Sequence, residues 1–165
     1  MRFIFTLMDE LTAHEIQRWR YPEPYAVYNM AADDHDPPAE LLDQRSPYYA
    51  ARDEQGKLVG FFTFGTSALV EGEHTPSLYI NDQTLPIGLG MHPNLAGQGY
   101  GLAFVQAGLD FARREFLPHY FLLYVYPWNE RAIRVYERAG FKRVRVISVR
   151  NRHGQSEFLQ MEMPA

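Results

Sequence analysis

The feature that most constrains this chain is a short apolar strand that runs directly into a cluster of glycines. The strand reads Leu85-Pro86-Ile87-Gly88-Leu89-Gly90-Met91, and after a turn come Gly97, Gly99 and Gly101. Glycine lets the backbone approach a ligand closely. A long amphipathic segment follows at once, and the start of a helix presents unpaired N–H groups and a positive dipole end. The segment therefore predicts a site for a phosphate-bearing cofactor.

Several common phosphate loops do not fit this segment. A Walker loop needs Lys-Ser/Thr after its last glycine, where this chain has Leu102-Ala103. A dinucleotide loop that uses Gly97 and Gly99 needs a third glycine at the position of Leu102. The other signature segments of a protein kinase are missing. A glycine-rich turn without a ligand is the alternative that the segment alone leaves open.

The segment Ala96-Gly97-Gln98-Gly99-Tyr100-Gly101 resembles the pyrophosphate loop Q/R-x-x-G-x-G/A of the GCN5-related N-acetyltransferases, the GNAT family. The glycines match the pattern. Ala96 departs from it, because relatives usually carry arginine or glutamine at that position. The departure bears on the strength of the phosphate site rather than on its identity, and Arg131 or Arg134 could compensate for it.

A second segment carries the same resemblance. The apolar run 119–126 predicts a buried strand. Asn129 then predicts the N-cap of a helix over residues 130–139, with Gly140 just beyond its end. The run from Asn129 to Phe141 is similar to the second acetyltransferase motif, N-x-x-A-x-x-x-Y-x-x-x-G-F. Two motifs in the family's order are much more specific than either alone.

The resemblance implies a single N-acetyltransferase domain over residues 1–165. Its fold would be α/β, with a mixed, mostly antiparallel central sheet flanked by helices, as in the acyl-CoA N-acyltransferases. Acetyl-CoA is the implied acyl donor, and no metal is implied. Relatives bind the pantetheine arm and the thioester oxygen through strand amides, and the whole set of cofactor residues expected here is Leu89, Gly90, Met91, Gly97, Gln98, Gly99, Tyr100, Gly101, Leu102 and Asn129.

The same resemblance assigns the leaving-group role to Tyr136, because a phenol can supply a proton or hydrogen bond to a thiolate. The alternative is an ordinary core tyrosine. No covalent nucleophile is offered, since the chain has no cysteine and no G-x-S-x-G elbow. The general base is not identified: some relatives carry a glutamate where this chain has Tyr124. A water chain or one of five side chains could serve, namely Glu71, Glu73, His74, Asp82 or His92.

The chain of 165 residues is 46% hydrophobic and 15% aromatic, a composition typical of a folded domain rather than a disordered chain. The absence of cysteine excludes disulfides and thiolate metal sites, and the six histidines lack metal-ligand spacing. Residues 1–7 are too short and too soon acidic for a signal peptide, and no apolar run is long enough to span a bilayer, so a cytoplasmic protein without a membrane partner is expected. The excess of acidic residues and the lack of a recognised binding module argue against a nucleic-acid partner. A homodimer is left open.

Acidic residues dominate the first hundred residues and basic residues dominate the rest. This separation suits a cationic substrate that meets an anionic cofactor, and it equally suits two solvated helix faces. We expect the acceptor side to contain Trp19, Tyr25 and Tyr28 near Glu23 and the acidic stretch 33–36. Aromatic faces and carboxylates would bind a small-molecule or peptide amine, although these aromatics could instead cover the sheet.

The remaining elements follow from periodicity and turn signals. A first strand is predicted at 2–7, and Thr12 to Glu15 reads as a capping box that opens a helix. Further strands are predicted at 48–52, 57–64, 84–91, 144–149 and 158–163. A helix at 99–116 is expected to bury Leu102, Val105, Leu109, Ala112 and Phe116. Two rival readings stay open: a non-catalytic acyl-CoA sensor of the same fold, and an unrelated nucleotide-binding domain.

Overall fold

The computed structural model describes residues 1–31, 38–70, 83–151 and 154–165. Its helices and strands follow one another as β1 (Ile4–Leu7), α1 (Glu10–Gln17), β2 (Tyr48–Arg52), β3 (Leu58–Phe64), β4 (Thr84–Met91), α2 (Gly101–Phe116), β5 (Tyr120–Val125), α3 (Glu130–Ala139), β6 (Lys142–Asn151) and β7 (Gly154–Pro164). Short 3₁₀ helices occupy Tyr25–Tyr28, Ala39–Leu42 and Thr66–Ala68. The predicted element order is therefore observed, with the closing hairpin longer at its ends than expected.

The strands form a seven-stranded sheet in the order β1-β2-β3-β4-β5-β7-β6. β4 and β5 run parallel, and each of the other neighbouring pairs is antiparallel. The parallel pair is joined through α2, as a crossover between parallel strands requires. The sheet is mixed and mostly antiparallel, in agreement with the fold class that the sequence predicts.

The two faces of the sheet carry separate apolar clusters. Successive side chains of β2 alternate between the faces, so that Ala50 packs with Ile16 and Trp19 under α1, while Ala51 packs with the larger core beneath α2 and α3. Aromatic rings dominate that larger core, and the Phe62 and Phe104 centroids lie 4.7 Å apart. Burial of such rings supplies most of the stabilising free energy of a domain of this size.

Two predicted element starts differ from the structure. β1 begins at Ile4 rather than at position 2, and α1 begins at Glu10 with Asp9 as its N-cap. The Asp9 carboxylate accepts a hydrogen bond from the Thr12 amide at 2.8 Å, which places Thr12 inside the first turn. Aspartate is one of the best N-cap residues, so it sets the start of the helix in preference to the later threonine.

The buried face of α2 also differs from the prediction at both ends. Its buried residues are Phe104, Val105, Gly108, Leu109 and Ala112. Leu102 is half-buried and Phe116 is 39% exposed. The helix lies very close to the sheet at Gly108, where a Cβ atom would overlap the Phe62 ring. This close central contact, which apolar periodicity does not reveal, buries the middle of α2 and leaves its ends open.

α3 packs on two sides. The face formed by Ala132, Val135, Tyr136 and Ala139 is half-buried against the core, whereas the fully buried residue is Ile133. Val135 packs against the start of α2, so closely that a Cβ placed on Gly101 would lie 3.1 Å from Val135 Cγ2. The first residue of α2 is thereby held against the middle of α3, which fixes the glycine loop relative to α3.

Candidate functional site

β4 and β5 diverge in the middle of the sheet. Their parallel pairing covers only Thr84 to Pro86 of β4, opposite Tyr120 to Leu122 of β5. From Ile87 to Met91, β4 pairs with β3 alone, without a bulge. The second half of β4 therefore has one hydrogen-bonded edge and one edge that opens into a cleft.

The backbone groups that face the cleft follow from the alternation of an antiparallel ladder. The Gly65 amide donates to the Pro86 carbonyl, and the His92 amide donates to the Val59 carbonyl, both at 2.9 Å. The even-numbered residues of β4, like Pro86 and His92, thus direct their backbone polar groups toward β3. The odd-numbered residues direct theirs into the cleft. Leu89 and Met91 belong to the second group, as expected for cofactor-binding amides. The Tyr21 hydroxyl donates to the Met91 carbonyl at 2.7 Å.

Gly90 differs from Leu89 and Met91 in the direction of its backbone groups, and its contact with the cofactor stays a prediction. By the same alternation its backbone faces β3, so its amide is not offered to a ligand. A Cβ on Gly90 would lie 2.5 Å from ring carbons of Phe61, far inside van der Waals contact. Glycine is required at this position so that Phe61 can pack across β4, rather than for a hydrogen bond to the cofactor.

The glycine loop connects β4 to α2. The amides of Leu95 and Ala96 both donate to the His92 carbonyl, which turns the chain. Gly97 and Gly99 then adopt φ angles of +76° and +89°, a conformation that favours glycine. α2 begins at Gly101 without a side-chain cap, so its first-turn N–H groups are open to an anion.

Two predicted loop residues do not line the cleft. Gln98 donates from Nε2 to the Asn94 carbonyl at 2.5 Å, which turns its side chain back onto the loop. Tyr100 is 36% exposed on the outer side. Only the backbones of these two residues stay available for the predicted role, whereas Gly97, Gly99, Gly101 and Leu102 line the cleft directly.

The cleft encloses about 540 Å³ between the β4 edge, the glycine loop, α3 and the segment 19–30. Its walls are mostly apolar and aromatic. Among the described residues, the charged side chains that line it are Arg131 and Arg138, with no carboxylate. A cleft of this size and charge suits an anionic ligand with a long apolar arm.

Arg131 lies beside the glycine loop. A Cβ on Gly97 would be 3.2 Å from Arg131 Nη1. The guanidinium carbon lies 3.9 Å from the centroid of the Tyr25 ring. Arg134, the other candidate to compensate for Ala96, instead pairs with Glu130 at 3.3 Å and is 77% exposed. The structure thus separates two arginines that the sequence could not distinguish.

Tyr136 projects from α3 into the cleft. Its ring packs edge-on against Phe141, with centroids 6.1 Å apart. Burial raises the pKa of the Tyr136 phenol well above its usual value, and the neighbouring Tyr28 phenol adds to the effect. The hydroxyl is therefore protonated at every pH at which the protein would work, as the predicted leaving-group role requires.

Asn129 is the N-cap of α3, as predicted. Its side-chain oxygen accepts from the Ala132 amide at 3.2 Å, and its Nδ2 donates to the Tyr28 hydroxyl at 2.8 Å. The residue is only 6% exposed. The observed role of Asn129 is to start α3 and to hold Tyr28, and direct contact with the cofactor stays a prediction.

An aromatic wall lies beside Tyr136, formed by Tyr28, Tyr126, Trp128 and Phe158. The Tyr126 ring stacks on Trp128 at 5.4 Å and on Phe158 at 4.8 Å, and Tyr28 lies 5.7 Å from Tyr126. Sequence analysis identified Tyr28 only. The signal for Tyr126 was its position directly after β5, the strand that borders the cleft, and Trp128 joins the wall by stacking on Tyr126.

The other two predicted acceptor residues have structural partners. Trp19 is 7% exposed and packs edge-on against the His92 ring at 4.9 Å. Tyr25 is half-buried, and Arg131 covers one face of its ring. Glu23 is exposed and does not line the cleft. The predicted acidic stretch 33–36 lies outside the described residues.

No described carboxylate or histidine takes the position of a general base in the cleft. His92 Nδ1 accepts from the Asn94 amide at 3.1 Å, so the neutral ring carries its proton on Nε2. Burial lowers the pKa of His92, with a further contribution from Lys57, which keeps the ring neutral. Glu71, Glu73, His74 and Asp82 fall outside the described part of the chain.

Comparison with known proteins agrees with this geometry. A family model described as the acetyltransferase (GNAT) family matches residues 11–141. A mycothiol acetyltransferase of Propionibacterium freudenreichii subsp. shermanii is 37% identical over 113 residues, which cover 68% of this chain and 31% of that protein. The chain thus spans about a third of the length of this curated relative.

Solved structures confirm the expected fold class. The aminoglycoside acetyltransferase AAC(6')-Ib in complex with coenzyme A is 20% identical, with a TM-score of 0.75 over 99% of this chain and 95% of that chain. A spermidine N-acetyltransferase chimera from Vibrio cholerae and a second source is 15% identical, with a TM-score of 0.66 over 99% and 96% of the two chains. Identities this low support a shared fold only.

The following two absences hold for residues 1–31, 38–70, 83–151 and 154–165. None of the helices there is long and apolar enough to cross a membrane. No group of three or more histidine, aspartate or glutamate side chains in the same residues is arranged to hold a metal ion.

The glycine loop predicts that Gly99→Val weakens coenzyme A binding at least tenfold in calorimetry. Valine is strained at the φ of +89°, and its branched side chain would project where the phosphates approach. Gly56→Val is the matched control, because Gly56 also has positive φ (+81°) and open space around its Cβ but lies in the β2–β3 turn. Both variants should lose similar thermal stability, and equal coenzyme A affinity in the two would contradict the loop assignment.

Proposed function

The chain belongs to the GNAT acetyltransferase family, and we propose that it transfers the acetyl group of acetyl-CoA to a primary amine by direct attack. Family membership supports acyl transfer as the class of reaction. The observation that carries the proposal is the open edge of β4, which runs into an uncapped helix start and lies opposite Tyr136. A strand edge, an anion site and a proton donor thus follow one another along one cleft.

The two ends of the cleft suit the two ends of acetyl-CoA. The first-turn amides of α2 and the positive-φ glycines offer donors to phosphate oxygens. The backbone of Leu89 and Met91 offers donors and acceptors to the amide groups of a pantetheine arm, in the manner of strand addition. The fold neighbour AAC(6')-Ib was crystallised with coenzyme A, which supports the same class of ligand.

The proposed reaction needs few protein groups. The amine nitrogen attacks the thioester carbonyl carbon, a C–N bond forms, and the C–S bond breaks. The Tyr136 hydroxyl donates a hydrogen bond or its proton to the departing thiolate, the amine nitrogen loses one proton to water, and water returns a proton to the Tyr136 oxygen so that the phenol is restored. An amide N–H of the β4 edge stabilises negative charge on the carbonyl oxygen, an effect worth about 3 kcal/mol in comparable sites.

Water is the proposed acceptor of the amine proton, because the described lining of the cleft contains no carboxylate or histidine. The amine must then be in its neutral form at the moment of attack. The reaction rate should therefore rise with pH until the amine is deprotonated, since a protonated amine has no lone pair with which to attack.

The aromatic wall is the proposed acceptor site. Tyr28 lines the cleft and is 39% exposed, so an amine in the cleft can reach its ring. Aromatic faces attract a cation before it loses its proton and pack against an apolar body. The fold neighbours named for aminoglycoside and spermidine acetylation support an amine of small size, and a peptide N-terminus fits the same description.

The mechanism predicts that Tyr136→Phe lowers kcat roughly 100-fold while the Kd for coenzyme A stays within about twofold, because only the proton donor is lost. Steady-state release of free coenzyme A with a panel of amines provides the measurement. Burial keeps the pKa of Tyr136 above 10. Deprotonation of Tyr136 should therefore not limit the rate below pH 10, and the wild type and the phenylalanine variant should show the same pH dependence up to that point.

Tyr120→Phe is the control, since Tyr120 is 47% exposed and does not line the cleft. An unchanged kcat in Tyr136→Phe would show that Tyr136 is an ordinary core residue and not the proton donor. Tight coenzyme A binding by the wild type without turnover of any amine would instead identify a non-catalytic acyl-CoA sensor.

The acceptor assignment predicts that Tyr28→Leu raises KM for the amine about five- to thirtyfold, the equivalent of one aromatic contact of about 1–2 kcal/mol. Tyr28→Phe keeps the ring, loses the hydroxyl that accepts from Asn129, and should retain most of the affinity for the amine. Kinetics at saturating acetyl-CoA measure both variants, with Tyr120→Leu as control. Equal losses of amine and coenzyme A affinity would place the acceptor site elsewhere.

A further inference from the structure

Among the α3 arginines, Arg131 and Arg138 form no ion pair with a described residue, and of these two only Arg131 is held on an aromatic ring. Arg134 pairs with Glu130 at 3.3 Å, and Arg143, just beyond the helix, pairs with Glu137 at 2.7 Å. Arg131 forms no ion pair with any residue that the structure describes. Its guanidinium instead lies 3.9 Å from the centroid of the Tyr25 ring.

Stacking on Tyr25 fixes the guanidinium group without neutralising it. A ring face attracts the cation and restricts its rotamers, while the N–H groups at the rim of the guanidinium plane stay free to donate. Tyr25 lies in the short 3₁₀ helix Tyr25–Tyr28, across the cleft from α3. The stack therefore closes the cleft between α3 and the segment that precedes β2, directly over the glycine loop.

The loop beneath Arg131 directs no cationic or amide side chain into the cleft, since neither Asn94 nor Gln98 lines it. Ala96 carries only a methyl group, and Gln98 is engaged with the Asn94 carbonyl. Arg131 reaches the glycine loop from the opposite wall of the cleft, and its Nη1 lies 3.2 Å from the position that a Cβ on Gly97 would take. The first-turn amides of α2 and the Arg131 guanidinium thus face the same volume from two directions.

We propose that Arg131, held flat on Tyr25, binds the pyrophosphate group of coenzyme A and closes the phosphate site from the α3 side. The inference rests on the proposed function and deepens it. A guanidinium group forms bidentate, charge-assisted hydrogen bonds with phosphate oxygens. Tyr25 is then a positioning residue that acts through Arg131, and its ring does not bind the amine acceptor.

Calorimetric titration of Arg131→Gln against three ligands tests the proposal. Affinity for coenzyme A and for 3′-dephospho-coenzyme A should fall by the same factor, roughly tenfold or more, the usual loss for a charged hydrogen bond. Affinity for pantetheine, which lacks the pyrophosphate, should not change. Arg134→Gln, one turn along the same helix and paired with Glu130, is the matched control and should bind all three ligands like the wild type.

Two results would overturn the assignment. An unchanged affinity for coenzyme A in Arg131→Gln would show that the arginine does not touch the ligand. A loss seen with coenzyme A but not with its 3′-dephospho form would place the guanidinium on the 3′-phosphate. Because the readout is binding, a wild-type protein that binds coenzyme A but acetylates no amine would contradict the proposed function and leave this inference standing.

A double-mutant cycle tests the positioning role of Tyr25. Tyr25→Phe keeps the stacked ring and should bind coenzyme A like the wild type. Tyr25→Leu should weaken binding severalfold, but should have no further effect in an Arg131→Gln background, since the residue acts only through the guanidinium. Additive losses in the double variant, or a loss in Tyr25→Phe as large as in Tyr25→Leu, would contradict this role.

Discussion

The divergence of β4 from β5 is the constraint on which the rest of the site depends. Backbone polar groups that are withdrawn from a ladder cost about 1–3 kcal/mol each unless another partner satisfies them. β4 tolerates this because its other edge remains paired with β3 from Ile87 to Met91, and because Phe61 packs against Gly90. The strand is held on one side and open on the other, so the site is built first from backbone groups.

The surrounding elements extend this open edge in two directions. Toward the glycine loop, the contact of Gly101 with Val135 fixes the start of α2 against α3, and the charged side chains there are basic. Toward Tyr136, the walls become aromatic, and Asn129 links the N-cap of α3 to Tyr28. An anionic donor and an amine acceptor thus find different chemistry at the two ends of one continuous cleft.

Sequence alone predicted what local spacing encodes. The positive-φ glycines, the Asn129 cap and the position of Tyr136 on α3 all follow from short motifs. The direction of the Gly90 backbone, the stack of Arg131 on Tyr25 and the aromatic wall did not follow. Each depends on ladder register or on contacts between segments distant in the chain, such as the bond between Tyr28 and Asn129, and these leave no periodic pattern.

Residue-specific amide hydrogen exchange along β4, with and without coenzyme A, tests the central claim most directly. In the free protein the Gly88 and Gly90 amides, which face β3, should be protected, whereas those of Leu89 and Met91 should exchange much faster. Saturating coenzyme A should slow exchange at Leu89 and Met91 selectively. Protection of all four amides in the free protein, or no response of Leu89 and Met91 to coenzyme A, would contradict a cofactor site built on the open edge of β4.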